Sequence, residues 1–349
     1  MTRSGQNRAA RFFLNLILAL LLALAALPAS AQFRVLVTND DGVEAEGLSI
    51  LVEALRRNPN LEVTVVAPAD EQSASGDDIS SPVDVFDAFT AAGYPALAVT
   101  GEPGDTVLLA VLELLSEPPD LVVSGINSVL NVGRDLAPFS GTVGAARWAA
   151  RLGIPAIAAS QAGGANNDYE TTADYVAAIA QLLAEDKMMG RESLPFDTGD
   201  GRGTKILLSI NVPNCAGNLR GFRVVALGSL TSPSGFTLLA DDGMTRTYRR
   251  NDSSNLNPGG CDSALEETFT DIDAFYNGFG SITPLDESLG VSAPTLADFE
   301  LLESLQYGPQ EAGATPLPGG GAGSVSLVLL ALVCVCRRRP LAADQQIIK

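Results

Sequence analysis

The sequence predicts an α/β fold, a Rossmann-like doubly wound, mostly parallel sheet with a smaller C-terminal hairpin lobe. Short apolar runs alternate along the chain with helical stretches. Gly, Asn, Asp and Ser gather where the apolar runs end, the loop chemistry of a parallel sheet. With 349 residues, 46% of them hydrophobic, the chain has material for a large core.

In Phe33-Arg-Val-Leu-Val-Thr38, Val35 to Val37 reads as a buried parallel strand. Gly42 then turns the chain into a helix over 44–57. Leu61 to Val66 is a second strand that ends at Ala67-Pro68, before a polar loop over 69–78. Pro95 to Val99 is another strand, and Gly101-Glu-Pro-Gly-Asp105 caps a helix to about Leu115. Leu121 to Val123 is a strand that opens into a loop running to Asp135. Ser140-Gly-Thr142 starts an Ala-rich helix to about Leu152, and Ile154 to Ala159 is the next strand. An amphipathic helix follows over 168–186, then a loop insertion over 188–204 rich in charge, Gly and Ser. Ile206 to Asn211 is one more strand, Phe222 to about Arg250 alternates like a hairpin lobe, and the chain from Asp286 returns to helix, ending near Leu305.

Both ends read as processing signals. Arg3, Arg8 and Arg11 precede an apolar run, and Ala29-Ser-Ala31 is a small-x-small cleavage site, so residues 1–31 form a secretory signal peptide. Residues 306–323 are a Gly/Pro-rich linker, and 324–349 hold a short apolar stretch followed by Arg337-Arg-Arg339. That order resembles the GlyGly-CTERM sorting tails of Gram-negative bacteria, which implies cutting by a rhomboid-type protease and passage toward the cell surface. An ordinary C-terminal anchor is the alternative. The expected location is therefore outside the cytoplasm: periplasmic, at the cell surface or secreted. Membrane contact is expected only through these terminal signals.

The formal charge of −19 argues against nucleic-acid polymers and anionic lipid as partners. Of four cysteines, Cys215 and Cys261 lie in the body, where export makes a disulfide between them the expected state. The chain has no histidine. That excludes Ser-His-Asp and Cys-His catalysis, His-ligated zinc and phosphohistidine chemistry.

Asn39-Asp-Asp-Gly42 places two like charges side by side on the first strand-to-helix loop, where open α/β sheets bind ligands. A fold keeps such a pair most cheaply beside a cation. Alone, the segment reads equally as a capped tight turn.

Ordered motifs resolve that ambiguity. They are Val37-Thr-Asn-Asp-Asp-Gly42 with Gly47, Val65-Val-Ala-Pro68 with Ser73, Thr100-Gly-x-Pro-x-Asp105 and Val123-Ser-Gly-Ile-Asn127 with Asn131, Gly133 and Asp135. Ser140-Gly-Thr-Val143, Gly153-Ile-Pro-Ala156, Ser209-Ile-Asn-Val-Pro213, Thr270-Asp-Ile-Asp-Ala274 and Ser281-Ile-Thr-Pro-Leu285 complete the series. Across residues 32–305 the chain resembles SurE-type 5'/3'-nucleotidases. The resemblance implies a metal-dependent phosphomonoesterase acting on nucleoside monophosphates, with one divalent cation per subunit held by Asp40, Asp41, Ser73 and Asn127. It also implies a homodimer or homotetramer.

The residues agree with that chemistry. Carboxylates, a hydroxyl and an amide oxygen make an all-oxygen set suited to Mg²⁺ or Mn²⁺. Ser140, Gly141 and Thr142 at a helix start suit phosphate, with Asn39 and Asn131 as nearby donors. Without histidine, proton transfer falls to Asp40, Asp41 or solvent. Three positions depart from the family pattern: Val129 stands where glycine is common, Arg134 where an acidic residue is common, and Phe139 where tyrosine is common. Other readings stay open, namely a broad phosphatase or exopolyphosphatase and a non-catalytic nucleotide-binding surface protein. A dinucleotide-dependent oxidoreductase is disfavoured, because no G-x-G-x-x-G follows the first strand.

Overall fold

Residues 32–163, 168–199, 201–215, 217–229, 236–250, 261, 270–290 and 296–307 are described by the computed structural model. The predicted signal peptide, the sorting tail and all of the linker beyond residue 307 lie outside the described residues. Among the described residues no helix is long and apolar enough to cross a membrane.

The hydrophobic runs assemble a nine-stranded sheet. Its strands are β1 (Phe33–Thr38), β2 (Leu61–Pro68), β3 (Val85–Phe89), β4 (Pro95–Val99), β5 (Leu121–Asn127), β6 (Ala156–Gln161), β7 (Leu207–Val212), β8 (Phe222–Val224) and, late in the chain, β11 (Gly280–Leu285). The order across the sheet is β3-β4-β2-β1-β5-β6-β7-β11-β8. From β4 through β7 all neighbours run parallel, whereas β3 on β4 and β11 on β7 are antiparallel. The remaining strands, β9 (Phe236–Asp241) and β10 (Arg246–Arg250), form a separate antiparallel hairpin.

Alternation along β1 feeds two hydrophobic layers: Val35 and Val37 enter one, Leu36 the other. The first layer is closed by α1 (Glu46–Arg56) and α5 (Tyr169–Met189), through Leu48, Leu51, Leu55, Val176 and Ile179. The second is closed by α2 (Pro103–Leu109) and α4 (Gly141–Arg151), through Val107, Val143 and Ala146. Two short helices complete the body, α3 (Gly133–Leu136) and α6 (Asp271–Tyr276). Cys215 and Cys261 are joined by a disulfide with Cα atoms 5.6 Å apart.

Several boundaries differ from the sequence expectation. The hairpin lobe is confined to 236–250, because β8 joins the main sheet beside β11, where Phe222 stacks on Tyr175 at 3.5 Å between ring centres. Beyond Asp286 a turn leads to a 3-10 helix over Leu296–Ser304 instead of an α-helix, and its Phe299 and Leu302 plug the first layer. The helix expected to reach Leu115 leaves α geometry after Leu109 and finishes as one wider turn over Ala110–Leu114.

Candidate functional site

Parallel strands that share a direction bring their following loops to one sheet edge. Here that edge gathers the ends of β1, β2 and β5 and the start of α4. Asp40 is 2% exposed, and its carboxyl is the hub. The Thr142 hydroxyl donates to Asp40 Oδ1 at 2.6 Å, and the Thr142 backbone N–H also donates to this carboxyl. Thr142 is in place because Ser140 caps α4, its Oγ accepting the Val143 N–H at 3.1 Å. Gly141 permits the close approach: a Cβ there would lie 2.8 Å from Asp40 Cβ and 2.7 Å from Ser75 Oγ. At the first position of α4, the Gly141 N–H has no intrahelical carbonyl to bond.

Asp41 is half-buried and accepts the Ser128 backbone N–H. Asn127 reaches the same loop through an irregularity in β5: Ser124 pairs with Ala158 but Asn127 with Ser160, so one extra residue bulges and re-aims the side chain. Its Nδ2 donates to Val129 O at 2.8 Å, leaving Oδ1 as the open acceptor. Ser73 is exposed on the loop after β2, next to Gln72, whose N–H donates to Asp40 O at 2.7 Å.

That loop is pinned from the other side by α4. Asp77 Oδ2 meets Arg151 at 2.7 Å and Arg147 at 3.2 Å, the Trp148 indole donates to Asp77 O at 2.9 Å, and the Gly76 N–H donates to Phe139 O at 3.1 Å. Contact is so close at Gly144 that a Cβ there would lie 1.7 Å from Gly76 O.

Two expected phosphate donors also make hydrogen bonds within the protein. Asn39 is fully buried and its Nδ2 closes the turn by donating to Gly42 O at 2.8 Å. The Asn131 Nδ2 donates to Ser160 Oγ at 2.8 Å and lies 3.4 Å from Thr142 Oγ1, while the Asn131 N–H donates to Asn211 Oδ1 at 2.7 Å. A buried chain Asn211–Asn131–Thr142–Asp40 thus fixes the hub. The members of this chain stand in motifs that the sequence offers, but their pairing, like the Asp77 clamp, carried no signal in it. Arg134 lies exposed in α3 with its N–H donating to Gly228 O at 2.9 Å.

Burial drives the Asp40 pKa above its ordinary value against the Thr142 hydrogen bonds, with Glu71 adding repulsion. Burial and the Asp40 charge likewise push Asp41 up to about 6. Two carboxylates that resist ionising together, beside an amide oxygen and an exposed hydroxyl, are a donor set that a hard divalent cation fits. Among the described residues no group of three or more Cys, Asp and Glu converges as a metal cluster, so neutral oxygens would have to complete the coordination.

The raised Asp41 pKa makes a prediction for the metal-free protein. A carboxyl whose folded pKa exceeds its unfolded one binds more protons when folded, so its contribution to stability is present below the ordinary 3.8 and lost as pH rises through about 6. Asp41→Asn is therefore expected to be more stable than the parent at pH 7 in chelator, and that advantage to shrink toward pH 4. Melting temperatures of both proteins across this range check it.

A profile of the family described as "Survival protein SurE" matches residues 35–232. The chain belongs to the SurE family. Among its relatives, a 5'-nucleotidase SurE of Symbiobacterium thermophilum is 34% identical over 72% of this chain and 91% of its own length. The 5'-nucleotidase SurE of Hyphomonas neptunium is also 34% identical, over 73% of this chain and 94% of its own length. The crystal structure of the SurE protein from Aquifex aeolicus superposes with a TM-score of 0.58 at 28% identity, covering 74% of this chain and 94% of that one. The α/β sheet with its parallel centre is thus the SurE fold.

Proposed function

We propose that this chain, a 5'-nucleotidase of the SurE family, is an exported, metal-dependent phosphomonoesterase that hydrolyses nucleoside 5'- or 3'-monophosphates to nucleoside and phosphate. The observation that carries the reading is the junction of Asp40 with the start of α4, where a carboxylate pair meets a helix N-terminus of the kind that suits an anion.

Asp40, Asp41, Ser73 and Asn127 would hold one Mg²⁺ or Mn²⁺. When bound, such a cation supplies charge stabilisation at a phosphoryl oxygen and an activated water. The Gly141 N–H and the α4 dipole hold the phosphate, with the Ser140 and Thr142 backbone shaping the cradle. Thr142, steadied by Asn131, keeps the Asp40 carboxylate turned toward the cleft. Asp41, more open than Asp40, takes the proton from the attacking water, a role that the absence of histidine leaves to a carboxylate. Export is supported by the leader over 1–31, the sorting-type tail and the Cys215–Cys261 disulfide. Assembly of two or four copies is supported by the β9–β10 hairpin, which exposes Leu238, Leu239 and Met244, the last to 97%.

The test is phosphate release from a panel of nucleoside 5'- and 3'-monophosphates, with Mn²⁺, with Mg²⁺ and with chelator. The expected result is release that depends on added cation. A folded protein that binds Mn²⁺ but releases phosphate from none of these esters would overturn the assignment in favour of a nucleotide-binding surface protein.

A further inference from the structure

Two large apolar side chains stand in solvent on the segments that carry the site, Phe139 at 65% exposure just before α4 and Val129 at 63% just after β5. Neither is on a loose segment. Phe139 ends the 3-10 turn Ala137–Phe139, its carbonyl accepts the Gly76 N–H at 3.1 Å, and the next residue is the α4 cap Ser140. A Cβ at Gly76 would meet Pro138 O at 3.1 Å, so the backbone beneath the ring is closely packed. Val129 follows Ser128, which bonds Asp41, and its own carbonyl accepts from Asn127. The fold therefore fixes both backbones against the site and leaves both side chains uncovered, although an exposed Phe ring forfeits burial that the core would reward.

We propose that Phe139, bordered by Val129, is the platform on which the base of a nucleotide stacks, and that it selects nucleoside monophosphates over phosphate esters without a base. This rests on the phosphomonoesterase reading above. Phe139 Cα is two residues from Gly141, hence within about 7.6 Å of the Cα whose N–H faces the phosphate. That is the span the sugar bridges between phosphate and base. Stacking needs only a π-face, and a purine or pyrimidine is neutral, so the acidic surface of this chain does not repel it. A ring without a hydroxyl makes no hydrogen bond to the base, so the platform tolerates different bases and favours the larger purine face.

The experiment compares kcat/KM for AMP and for ribose 5-phosphate in Mn²⁺, using the parent protein and Phe139→Ala, Phe139→Leu and Phe139→Tyr. The AMP to ribose 5-phosphate ratio is expected to fall about tenfold in the Ala and Leu variants, through KM for AMP, and to be kept by Tyr. A ratio within twofold of the parent in Phe139→Ala overturns the platform, as does an equal loss on both substrates. A change of oligomeric state at constant ratio, read by light scattering, would assign the ring to a subunit contact and likewise overturn it. If the parent hydrolyses neither ester, the phosphomonoesterase reading fails and the platform falls with it. Hydrolysis of both with no change of ratio removes the platform alone.

Discussion

Asp41→Asn is expected to lower kcat/KM for nucleoside monophosphates by about two to four orders of magnitude, the range a lost proton-transfer group commands. The substitution is isosteric, so the Ser128 N–H keeps an oxygen to bond and the loop keeps its shape. What disappears is one of two neighbouring carboxyls whose pKa values burial raises, that of Asp41 further by the Asp40 charge. With Asp40 alone, the cleft has half the formal charge with which to hold a divalent cation, so the Mn²⁺ titration should weaken in step. Steady-state kinetics and Mn²⁺ binding by electron paramagnetic resonance check both parts. Activity within tenfold of the parent would remove Asp41 from the chemistry.

Gly144→Ala is expected to have the largest effect on stability, at least about 3 kcal/mol, because overpacking at a site that cannot relax exceeds the usual range. The added methyl would lie 1.7 Å from the Gly76 carbonyl oxygen and 2.9 Å from the Asp77 nitrogen, both backbone atoms. Nor can the loop simply retreat, since Asp77 is tied to Arg147 and Arg151, and Gly76 to Phe139. If α4 slides instead, it takes Thr142 away from Asp40. Loss of stability and loss of activity should therefore come together, as measured by the urea midpoint and by phosphate release in the same preparation. A variant as stable as the parent would show that α4 and the loop do not meet as described.

The parallel centre of the sheet was legible because each strand is an apolar run closed by turn residues, as in Val35 to Val37 followed by Asn39-Asp-Asp-Gly42. The edges were not. In β3 the side chains of Val85, Phe86, Asp87 and Phe89 are exposed, so no buried face imposes a period. Pro284 disguised β11; it is tolerated because β8 pairs only with Gly280 to Ile282 and leaves that flank open. At three residues, β8 is too short for any pattern. Within the site, Asp40, Asp41, Asn127 and Ser140 announce themselves by their place after strands or at a helix start. Thr142 and Asn131 stand out as phosphate contacts, but the pairings that make them supports do not, because Thr142 and Asp40 are 102 residues apart and Asn131 and Asn211 are 80 apart. A local pattern carries no information about a partner so distant.

The buried chain from Asn211 to Asp40 also sets when the cleft can exist during synthesis. Domains fold as units once their sequence has left the ribosome. Asp40, Thr142 and Asn131 emerge early, but the side-chain amide oxygen that fixes the Asn131 backbone belongs to Asn211 on β7, a strand lying between β6 and β11. Until that strand and then Gly280 to Leu285 are released, the sheet is unfinished and the hub has no anchor. Under the proposed export, a nascent chain would therefore pass the nucleotide pool of the cell with this site still unassembled.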